Sequence, residues 1–190
     1  VVRKGFFAMF LGTVLLLAVP PRLLAQGGKP SPVGAGAVFE MHVKDYMALR
    51  QKLEAPLPAL PRDATPQQID AHQRALAAGI KAARSQARPG EFFTPEVQAL
   101  IRKTVEFVLS GSDGPAVKAS IMDENPGVPK IVLNERYPSS VPLSTMPPQM
   151  LAPLPDLPKG LEYRFLGRRL ILLDDAADII LDYSDNVIPA

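Results

Sequence analysis

Between Val38 and Leu53 the apolar residues Phe39, Val43, Tyr46, Met47 and Leu53 return at helical spacing, with Glu40, Lys44, Gln51 and Lys52 on the opposite side. That period predicts an amphipathic helix, and Pro56 and Pro58 end it. A second helix is announced by Thr65-Pro66-Gln67-Gln68, in which Thr65 can cap, Pro66 takes the first helical position and Gln68 completes a capping box. Ile69, Leu76, Ile80, Ala83 and Ala87 share one face of it, and Pro89-Gly90 stops it. Thr94-Pro95-Glu96 opens a third helix in the same way. Its inward face reads Val97, Leu100, Ile101, Thr104, Val105 and Val108, and it stops at Ser110-Gly111.

The pattern then changes. Residues Pro115 to Glu124 fit a short helix or a strand, and the helix is favoured because Pro115 suits a first helical position and Asn125-Pro126-Gly127 is a strong stop. Lys130 to Tyr137 reads as a strand. Seven prolines between Pro138 and Pro158 leave room only for a turn of helix near Pro148 to Ala152, and the apolar Met146, Met150, Leu151, Leu154 and Leu157 predict that this stretch crosses the domain in extended form. Further on, Leu161, Tyr163 and Phe165 alternate with Glu162 and Arg164, and Gly167-Arg168 makes a two-residue turn with glycine first, as a type II′ hairpin prefers. Arg169 to Leu173 returns, Asp174 to Asp178 turns again, and Ile179 to Tyr183 gives a third strand. The expected fold class is α+β, with N-terminal amphipathic helices packed on a small C-terminal antiparallel β-meander. Residues 38–190 form one domain, with a proline-rich crossing segment at 138–158.

Residues 1–25 carry Arg3 and Lys4 ahead of an apolar run from Phe6 to Val19, then Pro20-Pro21 and a small residue at Ala25. This is the layout of a secretory signal peptide. Cleavage after Ala25 puts Ala at position −1 and Leu23 at −3. The alternative is an uncleaved anchor, but the apolar run falls short of the ~20 residues that cross a bilayer core, so cleavage is favoured, and no stable membrane span is expected after it. The predicted location is periplasmic or extracellular. Residues 26–37 (QGGKPSPVGAGA) are expected to form a flexible linker.

Loss of the leader changes the charge. It removes Arg3, Lys4 and Arg22 and no acid, which turns the formal +2 of the 190-residue chain slightly negative. A basic field suited to nucleic acid is therefore not expected. The chain contains no cysteine, which excludes disulfides, thiol nucleophiles, Cys-ligated zinc and iron–sulfur clusters. An exported chain without disulfide staples must rely on its hydrophobic core.

Four stretches, EMHVKDYMALRQKLEAPLP (40–58), FFTPEVQALIRK (92–103), VLNERYPSSVPLSTMPPQMLAPLPDLP (132–158) and LEYRFLGRRLILLDDAADIILDY (161–183), together resemble a group of uncharacterised exported bacterial proteins. The resemblance covers most of the chain after the leader. It implies export and a shared domain, and brings no activity, ligand or catalytic residue with it.

Candidate chemistry is sparse. His42 and His72 sit at the edges of apolar helical faces, where helix pairing could bring them together, but zinc wants three or four ligands and nothing stands at i+3 or i+4 beside either except Asp45 and Tyr46 after His42. They read as half-buried helix residues. Asp174, Asp175, Asp178, Asp182 and Asp185 are the densest acids, yet they lack the order of a calcium loop and read as a solvated hairpin turn. Ser110-Gly111-Ser112-Asp113-Gly114 does not satisfy G-x-S-x-G and follows no strand. No phosphate-binding glycine loop occurs, and the P-x-x-P spacing of Pro155 and Pro158 is read as self-packing. Tyr163, Arg164, Arg168 and Arg169 make a basic and aromatic hairpin, the candidate interaction surface. No catalytic, cofactor-binding or metal residue is predicted. The expectation is a non-enzymatic binding domain of the cell envelope whose partner is another envelope protein, met through the helical surface or the C-terminal hairpin. The alternative is an envelope hydrolase using a His/carboxylate site.

Overall fold

The computed structural model describes residues 32–124, 130–142, 144 and 146–190. The leader, residues 1–25, lies outside the described residues, as does the first part of the expected linker. In chain order the elements are α1 (Pro32–Glu54), α2 (Pro66–Ala83), α3 (Pro95–Leu109), α4 (Gly114–Asp123), α5 (Pro148–Leu151), β1 (Leu161–Leu166), β2 (Arg169–Asp174) and β3 (Ile179–Ser184). The fold is α+β, with helices preceding a three-stranded antiparallel sheet of order β1-β2-β3. No helix among the described residues is long and apolar enough to cross a membrane.

Local chemistry explains the helix starts. Thr65 Oγ1 accepts from the Gln68 N–H at 3.3 Å while Gln68 Oε1 accepts from the Thr65 N–H at 2.8 Å, the reciprocal box that the sequence predicts. Thr94 Oγ1 caps α3 through the Val97 N–H at 3.4 Å. The two-residue turn at Gly167-Arg168 joins β1 to β2 with Gly167 at φ 58°, a value for which glycine carries no steric cost.

Two expectations need correction. Residues 32–37 are not a linker: α1 starts at Pro32, and Ala35 lies in the main core. Burial there outweighs the poor helix preference of Gly34 and Gly36. Residues 130–137 do not form a strand. Asn134 takes a left-handed φ of 57°, which breaks the extended run and leaves an isolated bridge between Arg136 and Ile179. The segment still follows the free edge of β3, with Asn134 N–H to Ile180 O at 2.8 Å, Ile180 N–H to Glu135 O at 3.1 Å and Tyr137 N–H to Asp178 O at 2.9 Å. An edge that would otherwise present unpaired backbone groups is covered this way.

The sheet has two buried faces. One meets the helices, where Phe39 of α1, Ile80 of α2 and Ile101 of α3 pack on Tyr163, Phe165 and Leu172. Phe39, Phe93 and Tyr163 form a mutual stack with centroids 6.1 to 6.3 Å apart. The other face, built from Leu166, Ile171, Leu173 and Ile180, is closed by Tyr137 with Ile131 and Val141.

A bulge decides what β3 points at the helices. Leu172 pairs with Asp182 and Leu173 with Ile180, so Leu181 is an extra residue. Strict alternation would set Asp182 on the same face as Ile180. The inserted residue reverses the phase, as bulges do, and brings Ile179, Leu181 and Asp182 to the helical side, leaving Ile180 and Tyr183 on the other.

Candidate functional site

Charged residues reach the interior along apolar stripes. Arg50 follows Tyr46 by four residues and Arg84 follows Ile80 by four, so each continues the inward face of its helix. Asp174 ends β2 and Asp182 follows the bulge in β3. Both carboxylates are fully buried.

Asp174 is held from two directions. Its Oδ2 accepts from the Tyr46 hydroxyl, and its Oδ1 accepts from Arg50 Nη1 at 3.1 Å and from the Ala176 and Ala177 N–H groups at 2.8 and 3.2 Å. Burial, and then the neighbouring Asp174 carboxylate, push the Tyr46 phenol well above its ordinary range, so it stays protonated and donates. Arg50 lies against Gly160, whose φ is 90°; a Cβ there would stand 2.8 Å from Arg50 Nη1. The left-handed backbone favours glycine here, and a side chain would push the end of Arg50 aside.

Asp182 gathers backbone. It accepts from the N–H groups of Gly90, Phe92 and Phe93 at 2.8 to 2.9 Å and from Tyr183 N–H at 2.8 Å, which fixes the turn between α2 and α3 onto β3. Arg84 completes the arrangement. It donates to Asn134 Oδ1 at 2.9 Å, Glu91 Oε1 at 3.0 Å and Leu181 O at 3.2 Å. Its guanidinium also lies 5.5 and 5.1 Å from the Tyr46 and Phe92 ring centroids, within cation–π range. Among buried side-chain polar atoms of the described residues, only Ser184 Oγ lacks a partner. Arg50, Arg84, Tyr46 and the inward acids are therefore internal fastenings.

These placements revise the acidic cluster. Asp174 and Asp182 are not a solvated turn. Asp178 pairs with Arg136 at 3.0 Å, Asp185 pairs with Arg169, and Asp175 stays exposed. For Asp182 strand alternation could not reveal this, because the bulge shifts it, whereas Asp174 follows the inward Leu170 and Leu172 in step. Among the described residues no group of three or more His, Asp or Glu side chains gathers closely enough to hold a metal ion.

The hairpin residues are also committed internally. Tyr163 is only 3% exposed and lies in the aromatic stack, its hydroxyl donating to Pro155 O at 3.1 Å. Arg164 donates to Glu162 and to Ser144 O at 3.1 Å, Arg168 to Ile188 O at 2.7 Å, and Arg169 pairs with Asp185 while covering the Tyr183 ring. They do not form one free basic and aromatic surface. The chain supplied acceptors from residues 144, 155, 185 and 188 that spacing along the hairpin did not announce.

The histidines are not brought to a shared site. His42 Nδ1 donates to Glu91 O, and His72 Nδ1 donates to Pro58 O at 3.2 Å while its Nε2 lies 3.7 Å from Glu54 Oε1. In the Ser110 to Gly114 loop, Ser110 Oγ donates to Phe107 O at 2.9 Å and Ser112 Oγ to Asp113 at 3.4 Å.

That loop borders an open groove of about 1020 Å³ between α3, α4 and α5. Leu100, Thr104 and Val108 line it from α3, Val117 from α4, and Ala152 and Pro153 from the α5 side. Phe107 stands at its wall with 80% of its surface exposed. In the sequence it fell outside the inward face of α3, which is why it passed unremarked. No protein-family model, curated protein or solved structure matches the chain.

Proposed function

We propose that this protein is an exported, non-enzymatic binding domain of the cell envelope, working in the periplasm or outside the cell. Its partner is another envelope protein, which lays an apolar segment into the groove between α3, α4 and α5. The exposed Phe107 beside that apolar lining carries the reading, because an aromatic ring continuous with an apolar groove extends the kind of patch that interaction sites use. The internal use of Arg164, Arg168 and Arg169 turns the choice away from the hairpin and toward the helical surface. Export rests on the pattern of residues 1–25, and kinship with the exported bacterial group belongs to the same proposal.

The test is a photocrosslinking residue placed at Gln149 on the groove wall, used in the exporting host with and without Phe107→Ser. The expected result is one defined envelope protein, crosslinked through an apolar peptide, that disappears in Phe107→Ser. That variant should unfold within about 0.5 kcal/mol of the native chain, as exposed substitutions do. Undiminished crosslinking in the variant would remove the groove as the contact. Recovery of the chain from the cytosol with residues 1–25 attached would remove export.

One observation favours a second reading, an envelope hydrolase using a His/carboxylate site. His72 and Glu54 face each other in a groove of about 500 Å³, and such a pair can activate water. Hydrolysis of peptidoglycan or ester substrates that is lost in both His72→Gln and Glu54→Gln would select it over binding.

A further inference from the structure

The crossover from α1 to α2, residues 55–61 (APLPALP), contains three prolines and so has few amide donors with which to hold itself in place. Its first turn closes through Ala55 N–H to Gln51 O at 3.0 Å and Leu57 N–H to Glu54 O at 2.9 Å. Further along, Ala64 N–H closes on Pro61 O at 3.2 Å, and Pro58 is held from α2. His72 has a side chain only 11% exposed, and its Nδ1 reaches Pro58 O at 3.2 Å. The same imidazole walls two grooves, of about 500 and 250 Å³, on either side of the crossover.

A carbonyl oxygen can only accept, so Nδ1 must carry the hydrogen. In a neutral imidazole Nε2 is then an acceptor, and it faces Glu54 Oε1 at 3.7 Å. Two acceptors cannot bond. Uptake of one proton turns Nε2 into a donor, places a positive charge opposite the carboxylate and leaves the Pro58 bond intact. We propose that His72 is a pH-sensitive clamp, in which protonation ties the last turn of α1 to α2 and fastens the crossover between them.

The surroundings isolate the pair. Glu54 is the only charged residue besides His72 that lines either groove; Gln51 on α1 and Gln68 on α2 are neutral, and the crossover contributes apolar side chains. On α2 itself, Asp70 and Arg74 pair with each other, and Asp70 pairs also with Arg136. His42 provides an internal contrast. It too donates from Nδ1 to a carbonyl, but no carboxylate pairs with it among the described residues, so its contact lacks the second arm.

Amide hydrogen exchange on the full chain from pH 8 to pH 5, corrected for intrinsic exchange, tests this directly. Protection at Ala55 and Leu57 should rise roughly two- to fivefold on acidification, the size expected for a partly exposed ion pair. Glu54→Gln should abolish the rise. His72→Gln keeps a side-chain donor for Pro58 O but cannot take up the proton, and should abolish it too. Nitrogen-15 shifts of His72 should report the Nδ1–H tautomer at pH 8. An equal rise in Glu54→Gln, no rise in the native chain, or an Nε2–H tautomer at pH 8 would each overturn the clamp.

Discussion

The interface between the sheet and the helices and the outer face of α3 treat side-chain chemistry in opposite ways. At the first, two carboxylates, the Arg84 guanidinium and a phenol are buried with the half-buried Arg50 beside them, and each is satisfied by partners from other elements. At the second, Phe107 lies 80% exposed above an apolar groove, an aromatic ring that the fold itself does not bury. The densest charge in the sequence is thus consumed by architecture. The aromatic ring left exposed is apolar and lies on a helix whose outward face is otherwise polar. Charge density signals an interaction surface only after the chain's own acceptors have been counted.

The sharpest way to break this comparison is Asp182→Ala. It removes the acceptor for four backbone N–H groups and leaves donors unpaired in the interior, at a cost of roughly 3–5 kcal/mol. Denaturant unfolding should show that loss, and Asp182→Asn, which keeps one acceptor oxygen, should lose less. A loss below about 1 kcal/mol, the range of an ordinary exposed hydrogen bond, would mean that the interior is not fastened in this way. Gly160→Ala comes next. The left-handed backbone and the displacement of Arg50 from Asp174 should cost roughly 1–3 kcal/mol, and a smaller cost of Gly160→Ala in an Arg50→Ala background than in the native chain would assign the difference to the guanidinium.

The smallest effect concerns the surface triad of Asp70, Arg136 and Asp178. Hydrogen bonds from Arg136 and then Arg74 hold the Asp70 carboxyl below its ordinary value of 3.8, whereas burial raises Asp178 despite its bond to Arg136. The signs oppose. Asp70 favours folding above its unfolded value, and that contribution is lost as pH falls through its depressed folded value. The folded state binds the Asp178 proton more tightly, so Asp178 favours folding at acid pH and loses that contribution as pH rises through its raised value. A carboxyl carbon NMR titration should therefore show Asp178 protonating before Asp70 on acidification. The reverse order would dissolve the distinction between the two partners of Arg136.

What was legible in the sequence was local. Thr65 and Thr94 mark their helices because capping is settled within four residues, and Gly167 marks the hairpin because a two-residue turn limits which residues fit. The meander and the α+β class follow from those signals. The inward turn of Asp182 was not legible, because one unpaired residue in β3 reverses the alternation from which facing is read. Residues 130–137 look like a strand by composition, but Asn134 diverts them while Arg84 takes its side-chain oxygen, a contact spanning 50 residues. For the candidate site, the spacing of Arg50 and Arg84 along their stripes was a usable signal for the buried fastenings. Phe107 carried none, since an aromatic residue outside the apolar arc looks the same whether it is stray or functional.

The span of these fastenings also orders the chain in time. Tyr46, Arg50 and the amides of Gly90, Phe92 and Phe93 meet their acceptors 89 to 128 residues later in the polypeptide. While the chain is being made, its helical part can collapse but cannot close, because the groups that would seal it have not yet emerged from the ribosome. Such a polypeptide sets late, after β2 and β3 arrive.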